Sequence, residues 1–245
     1  MQGKADLHIH SHYSKDSFAS LKNILKTAQK EGLDVIAITD HDEVKGAKEA
    51  QAMAPEFGLE VVVGEEIETR EGDLLALFID DKISSGRPIT ETIKEVHKQG
   101  GLAVVPHPSN LLLGGVSLNV IVKVSHQLDG IELFNGSWLG KIKRKKSKEL
   151  NKAILNLAAV GGSDAHLARQ VGSGYTIFPG KSKEDLYRAI KEKTTTTAGA
   201  SWSYWDRLFW LLTTPVIFLE HPLVFCLGIG RPLKKTFGLK NRIKL

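Results

Sequence analysis

The stretch "DLHIHSHYSKDS", residues Asp6 to Ser17, begins by alternating polar and apolar positions, as a half-buried strand does. Its polar positions are an acid and two imidazoles. Residues i, i+2 and i+4 of a strand share a face, so His8 and His10 point the same way with Asp6 behind them. Similar endings recur along the chain. His41 follows "VIAIT" in "ITDHDEVKG", His107 follows "LAVV" in "VVPHPSN", His166 follows "AAVGGSD", and Glu66 follows "VVVGE". Each stands where an apolar, β-branched run gives out and a loop begins. In parallel α/β folds, ligands bind at the carboxyl ends of the strands. Five strands therefore deliver His, Glu or Asp to one rim.

The elements around these points alternate. Strands are expected at Asp6–His10, Val35–Thr39, Glu60–Gly64, Leu74–Ile79, Ala103–Pro106, Gly130–Phe134, Ala158–Gly161 and Tyr175–Phe178. Helices are expected at Leu21–Glu31, Val44–Phe57, Thr90–Gln99, Leu118–Gln127, Lys143–Leu157 and Lys183–Lys193, the last opened by a capping box from Ser182 to Asp185. Repeated strand–helix units predict a parallel sheet, open or closed into a barrel.

At 245 residues, 42% apolar and 25% charged, the chain has the make-up of a soluble globular protein and can form one barrel. Its single cysteine, Cys226, excludes an internal disulfide, and with the site motif already at residue 6 no signal peptide is expected. A cytoplasmic protein is the expectation. The net charge of +5 belongs to the last residues: Arg231, Lys234, Lys235, Lys240, Arg242 and Lys244 carry it, and the rest of the chain is near −1.

Mixed imidazole and carboxylate donors suit Zn, Mn or Fe, whereas a Ca site is built of oxygen. There are more candidate groups than one tetrahedral ion needs, which points to a centre of two or three divalent transition-metal ions. Such ions clamp the attacking and leaving oxygens of a phosphate ester and acidify a bridging water. His97 and His126 fall on expected helix surfaces, and His12 and His221 have no evident partner, so these four stand outside the centre.

The motifs "DLHIHSHYSKDS", "ITDHDEVKG", "GEEIET", "PHPSN" and "GGSDAH" together resemble the PHP (polymerase and histidinol phosphatase) superfamily, and they occur in the family's order over roughly residues 4–200. The resemblance implies a distorted (β/α)7 barrel with a two- or three-metal site, of the small phosphoesterase branch. It implies one metal on His8, His10, Glu66 and Asp164, with Glu66 bridging and preferred to Glu65 by its place in "GEE". A second metal takes Glu66, His107 and a residue of the next strand, and a third takes Asp16, His41 and His166. The second position departs from the family, which often has His before the run "LLALFI" where this chain has Asp73. Asp73 is expected to ligate through oxygen and to favour Mn over Zn. Three divalent ions outweigh Glu66, Asp73, Asp164, Asp16 and a hydroxide, so the site stays positive toward an anionic substrate.

By the same resemblance, Glu66, His10 and Asp164 are candidate catalytic residues, and Arg169 joins them from its own position just after "SDAH", where it is expected to grip phosphate. Asp6 and Asp40 are expected to accept hydrogen bonds from ligand imidazoles, and Asn135 to face the rim. The implied reaction is hydrolysis of a phosphomonoester, nucleotide or short oligonucleotide by a metal-activated water. Two rivals stand beside it: a nuclease using the basic run "KIKRKKSKE" (Lys141 to Glu149), and a non-catalytic scaffold on the same barrel.

Residues 1–200 are thus read as the barrel and residues 201–245 as an extension. The extension opens with Trp202, Tyr204, Trp205, Phe209 and Trp210, and its apolar span is broken by Pro215, Glu220, His221 and Pro222. A peripheral membrane contact, packing on the barrel and a dimer contact are its three readings.

Overall fold

The computed structural model describes residues 1–141 and 144–206. Met1–Ser203 form one compact unit, and Tyr204–Leu245 a second. The membrane, packing and dimer readings of the extension fall mostly on residues 207–245, outside the described residues. Among the described residues, no helix is long and apolar enough to cross a membrane.

Nine strands form one sheet: β1 (Gln2–Asp6), β2 (Val35–Ile38), β3 (Glu60–Glu68), β4 (Asp73–Leu77), β5 (Leu102–Val105), β6 (Gly130–Asn135), β7 (Ala158–Gly162), β8 (Gly174–Pro179) and β9 (Thr196–Gly199). Their order is β7-β6-β5-β4-β3-β2-β1-β8-β9. Among the described residues of the Met1–Ser203 unit, six α-helices accompany them: α1 (Leu21–Lys30), α2 (Lys45–Met53), α3 (Ile89–Lys98), α4 (Leu118–Val124), α5 (Arg144–Leu150) and α6 (Lys183–Lys191). The helix expected over Val44–Phe57 ends in a 3-10 turn, Ala54–Phe57, and the one over Lys143–Leu157 in a π turn, Asn151–Leu155.

The alternation along the strands builds two apolar layers. Val35, Ala37, Val62, Leu75, Leu77, Leu102 and Val104 pack on one face with Leu186, Ala189 and Ile190 of α6. Ile36, Ile38, Val61, Val63, Leu74, Ala76, Ala103 and Val105 pack on the other with the apolar sides of α1 to α4. Strands covered on both faces read as continuous apolar runs, which is why "VIAI" and "LAVV" are legible as strands. In α1, Leu21, Ile24, Leu25 and Ala28 make one buried stripe at helical spacing. The Ser182 cap of α6 forms as expected, its hydroxyl accepting from the Asp185 N–H.

The sheet is a distorted, nearly closed barrel. β7 is tied to β8 by the Gly161 N–H donating to Thr176 Oγ1 at 2.8 Å. The residues after β7 meet those after β1, where the Asp164 N–H donates to the His8 carbonyl at 2.8 Å and the His10 N–H to the Ala165 carbonyl at 2.9 Å.

Three features differ from the sequence expectation of an all-parallel sheet. First, β4 runs antiparallel to both β3 and β5. The four-residue link from Glu68 to Asp73 is too short for a crossover helix, and it turns through Gly72 at φ 133°, a conformation that favours glycine. Second, β8 pairs antiparallel with β1, and β9, which short Thr-rich sequence conceals, pairs antiparallel with β8. Third, β1 ends at Asp6, so His8 and His10 lie on its extended continuation, held by the bridge from Ile9 to Ala165.

Candidate metal centre

The parallel strands β1, β2, β5, β6 and β7 end at one rim, and β3, hydrogen-bonded in parallel to β2, runs on past it to carry Glu65 and Glu66. Because β4 runs backward, its first residue reaches the same rim. Asp73 arrives there from the start of a strand, whereas His41, His107 and Asp164 arrive from loops at the ends of strands.

Three groups of candidate ligand atoms converge. His8 and His10 approach each other Nε2 to Nε2 at 3.2 Å, and both face Glu66 Oε2, at 3.2 and 3.3 Å. Asp164 Oδ1 joins them at 3.6 and 3.5 Å from the two Nε2 atoms. On the other side of Glu66, its Oε1 lies 3.0 Å from His107 Nε2, and Asp73 completes a buried group with these two residues. The third group is His10, Asp16, His41 and His166. Asp16 Oδ2 stands 3.2 Å from Nε2 of both His41 and His166, and the His10 ring lies 4.8 and 4.3 Å from their ring centroids. His10 therefore belongs to two groups, a sharing that the sequence reading had given to Glu66 alone.

These residues fit divalent ions. Donor atoms around a tetrahedral ion with bonds near 2.1 Å sit about 3.4 Å apart, the spacing found here. The Nε2 atoms of His8, His10 and His107 all turn toward the Glu66 carboxylate, while His10 Nδ1 and His107 Nδ1 are buried without a hydrogen-bond partner among the described residues.

The electrostatics point the same way. Burial pushes the His8 imidazolium down, but Glu66, Asp164 and Glu132 outweigh it and raise its pKa well above the usual value. His41 and His166 are likewise opposed by burial, yet each is pushed up to about 9, the first by Glu66 and Asp16, the second by Asp16 and Asp164. Glu66 and Asp16 are held well below the carboxylate range against their own burial, by His8 and His41 in one case and by His166 and His41 in the other. The cluster is thus a concentration of carboxylate charge that draws in cations. Metal ions entering it must displace protons from the imidazoles.

The surrounding hydrogen bonds correct the expected support. Asp6 touches no imidazole: it accepts from the backbone N–H groups of His8, Ser163 and Gly172 at 3.4, 2.9 and 2.8 Å, and burial pushes its pKa up to about 6. Asp40 accepts from the N–H and hydroxyl of Ser11, at 2.6 and 2.8 Å. Asp6 thereby ties the residue after β7 to β1, and Asp40 ties the end of β2 to the continuation of β1. Glu132 holds the ligand imidazole instead. Its Oε1 lies 3.2 Å from His8 Nδ1, and its Oε2 accepts from the His107 N–H at 2.7 Å and from Asn135 Nδ2 at 2.9 Å. A signal existed in "GIELFN": an acid in the middle of an apolar strand must have a partner.

Asn135 faces the rim as expected and also donates to Asp164 Oδ2 at 3.2 Å. Asp164 and His107 have positive φ, 55° and 29°, a conformation costly for side-chain-bearing residues and concentrated at functional positions. Gly162 is needed for contact: a Cβ there would meet the His8 Cβ at 2.4 Å. Arg169 is exposed on the turn Ala168–Gln170, whose Gln170 Oε1 accepts from the N–H groups of His166 and Leu167, both at 2.9 Å. His12 stands apart, its ring 4.7 Å from that of Tyr13, and His97 pairs with Asp129 at 2.8 Å.

Comparison with known proteins adds to this geometry. The family model described as the PHP domain matches residues 6–199. An uncharacterized protein of Methanocaldococcus jannaschii is 42% identical over 142 residues, which are 54% of this chain and 81% of that one. A 5'-3' exoribonuclease of Haemophilus influenzae is 41% identical over 69 residues, 28% of this chain and 25% of its own. Among solved structures, a two-domain protein of Bacteroides vulgatus containing a predicted PHP-like metal-dependent phosphoesterase superposes with a TM-score of 0.69 at 20% identity, over 82% of this chain and 65% of that chain. This last likeness is one of fold.

Proposed function

Because the chain belongs to the PHP domain family, we propose that it is a metal-dependent phosphoesterase that hydrolyses a phosphomonoester, a nucleotide or the end of a short oligonucleotide. The observation that carries this reading is the set of three ligand groups linked through Glu66 and His10 on one rim. Divalent ions held there supply Lewis acidity toward the phosphoryl oxygens and an activated water.

The protein's own part is to place and balance charge. Glu66 spans two groups through its two oxygens, and His10 joins the first group to the third. Asp164, fixed by Asn135, closes the first group. Glu132 sets the proton of His8 on Nδ1 and so frees Nε2 as a donor toward the centre. Arg169 is assigned to the phosphoryl oxygens. Oxygen-rich Glu66, Asp73 and His107 suit Mn, whereas three imidazoles with Asp16 suit Zn or Fe. A non-catalytic scaffold is disfavoured, since every expected ligand position is filled by a donor.

Metal analysis together with hydrolysis of p-nitrophenyl phosphate in added Mn tests the proposal. Two or more bound ions are expected, with hydrolysis that Glu66→Gln abolishes. Full hydrolysis by metal-stripped protein overturns it.

A further inference from the structure

A ligating imidazole has two nitrogens, and the one turned away from the ion almost always donates its proton to a carboxylate, a carbonyl or a water. Two imidazoles of this centre find such a group in the protein itself. His8 Nδ1 faces Glu132 Oε1 at 3.2 Å, and His166 Nδ1 faces the Asp164 carbonyl at 3.0 Å. His107 does not. Its Nε2 is turned to Glu66, and its Nδ1 is buried without a partner among the described residues.

Two polar atoms of α5 share that condition. Arg144 Nε and Ser147 Oγ are also buried without a partner among the described residues. Arg144, Ser147 and His107 line one cavity of about 10 Å³, together with Asn110, Glu132 and Asn135. That volume is about the least that holds one water, and a buried water typically makes about three hydrogen bonds to groups that would otherwise go unsatisfied. The guanidinium is held in place beside it. Arg144 Nη2 donates to the Asn135 carbonyl at 2.7 Å, and the Phe134 ring centroid lies 4.1 Å from the guanidinium carbon.

Donors and acceptors match a water. His107 Nδ1–H and Arg144 Nε–H fill its two lone pairs, and its protons go to Ser147 Oγ and to an oxygen of Glu132 or Asn135. A chloride is larger and would meet the Glu132 carboxylate. A metal cation would meet the Arg144 guanidinium. We propose that this cavity binds one structural water through which Arg144 and Ser147 position the His107 imidazole, keeping its proton on Nδ1 and presenting Nε2 to the metal centre. Arg144 and Ser147 are thus positioning residues that stand outside the three ligand groups. The inference rests on the metal-centre reading and deepens it, because it extends support of the ligands from β6 to α5.

The test uses the full-length protein, metal-free and Zn-loaded, with Ser147→Ala, Ser147→Val and Arg144→Lys variants. High-resolution crystal structures of the wild type are expected to show one water within hydrogen-bond reach of His107 Nδ1, Arg144 Nε and Ser147 Oγ. Long-range proton–nitrogen spectra of the Zn-loaded protein should show His107 protonated on Nδ1. Zn affinity is read by chelator competition, with the melting temperature of the metal-free protein in parallel. Ser147→Ala keeps the space for the water and should weaken Zn binding less than about threefold. Ser147→Val fills that space and should weaken Zn binding about tenfold or more, with faster exchange of the His107 Nδ1 proton. Arg144→Lys keeps the charge, removes the Nε–H and should weaken Zn binding about threefold or more. A merely structural role would lower the melting temperature of the valine and lysine variants and leave Zn affinity and the His107 signal unchanged, and that result overturns the proposal. So does a His107 Nδ1 bonded directly to a protein group in the crystal. The water present in a protein that binds no ion would uphold the cavity site and sink the metal-centre reading. A bound ion with no water beside His107 would sink the proposal and leave the metal-centre reading standing.

Discussion

Glu132, in the middle of β6, holds the imidazole of His8, on the far side of the sheet's opening, through Oε1 and Nδ1 at 3.2 Å. Its second oxygen takes the backbone N–H of His107 at 2.7 Å. One buried carboxylate thus fixes two candidate ligands, one by its ring and one by its backbone. Groups that orient ligating imidazoles typically account for tenfold to hundredfold in metal affinity. Glu132→Gln keeps the shape and removes the charge. We expect its metal affinity to fall by about tenfold to a hundredfold in chelator competition, with the far-UV circular dichroism of the wild type. An affinity equal to wild type would leave Glu132 as a structural contact only.

A pH dependence follows from His41 and His166, both raised to about 9. A folded-state pKa above the ordinary value means that the folded chain binds more protons than the unfolded one between the two values. That stability is fully present below about pH 6.5 and is lost as pH rises through about 9. Metal-free protein should therefore lose melting temperature across this window, whereas metal-loaded protein, with neutral ligating imidazoles, should not. Loading metal near pH 7.5 should release protons, measurable as a buffer-dependent heat in calorimetry.

Asp73 tests the oxygen-rich group. It is fully buried at the first position of β4 and shares its group with Glu66 and His107. Asp73→Ala should cost one bound ion per chain by elemental analysis. Asp73→His restores three donors but trades a hard oxygen for a nitrogen. It should keep the ion count and raise the Zn-to-Mn ratio retained from a mixed-metal buffer by about threefold or more. Unchanged ion content in the alanine variant would remove Asp73 from the centre.

The parts of this molecule legible in sequence are those set by local pattern. Strand ends marked by His41, His107 and His166 are readable because each polar residue interrupts an apolar run, and parallel strands send their ends to one side. Asp73 was harder. Nothing local says that β4 runs backward, and its placement at the rim depends on the tight link through Gly72. Support of the imidazoles was misassigned for a related reason. Asp6 and Asp40 adjoin ligands in sequence, but Glu132 adjoins them only in space, through a barrel that brings β6 to the continuation of β1. Asp6 and Asp40 tie down backbone that is mostly distant in sequence, Ser163 and Gly172 for the first and Ser11 for the second, and the closure of the sheet decides which acid meets the ring.

Trp202 bears on where the barrel unit ends. Its indole N–H donates to the Ser163 carbonyl at 3.0 Å, its backbone N–H to the Gly136 carbonyl at 2.9 Å, and its ring lies edge-on to that of His166 at 6.4 Å. The side chain is buried and sits directly behind the "GGSDAH" loop. Removing it opens a cavity under Asp164 and His166, and large-to-small changes of this kind cost about 3 to 5 kcal/mol. A chain ended after Ser203 should keep the melting temperature and metal content of the barrel unit, whereas one ended after Ala200 should lose both in part. Trp202→Ala in the full chain should reproduce the loss, and Trp202→Phe, which keeps most of the ring and forfeits one hydrogen bond, should cost about 1 kcal/mol. Calorimetry and elemental analysis on the four proteins check this. Equal behaviour of the two truncations would mean that the loop carrying Asp164 and His166 holds its shape without the indole.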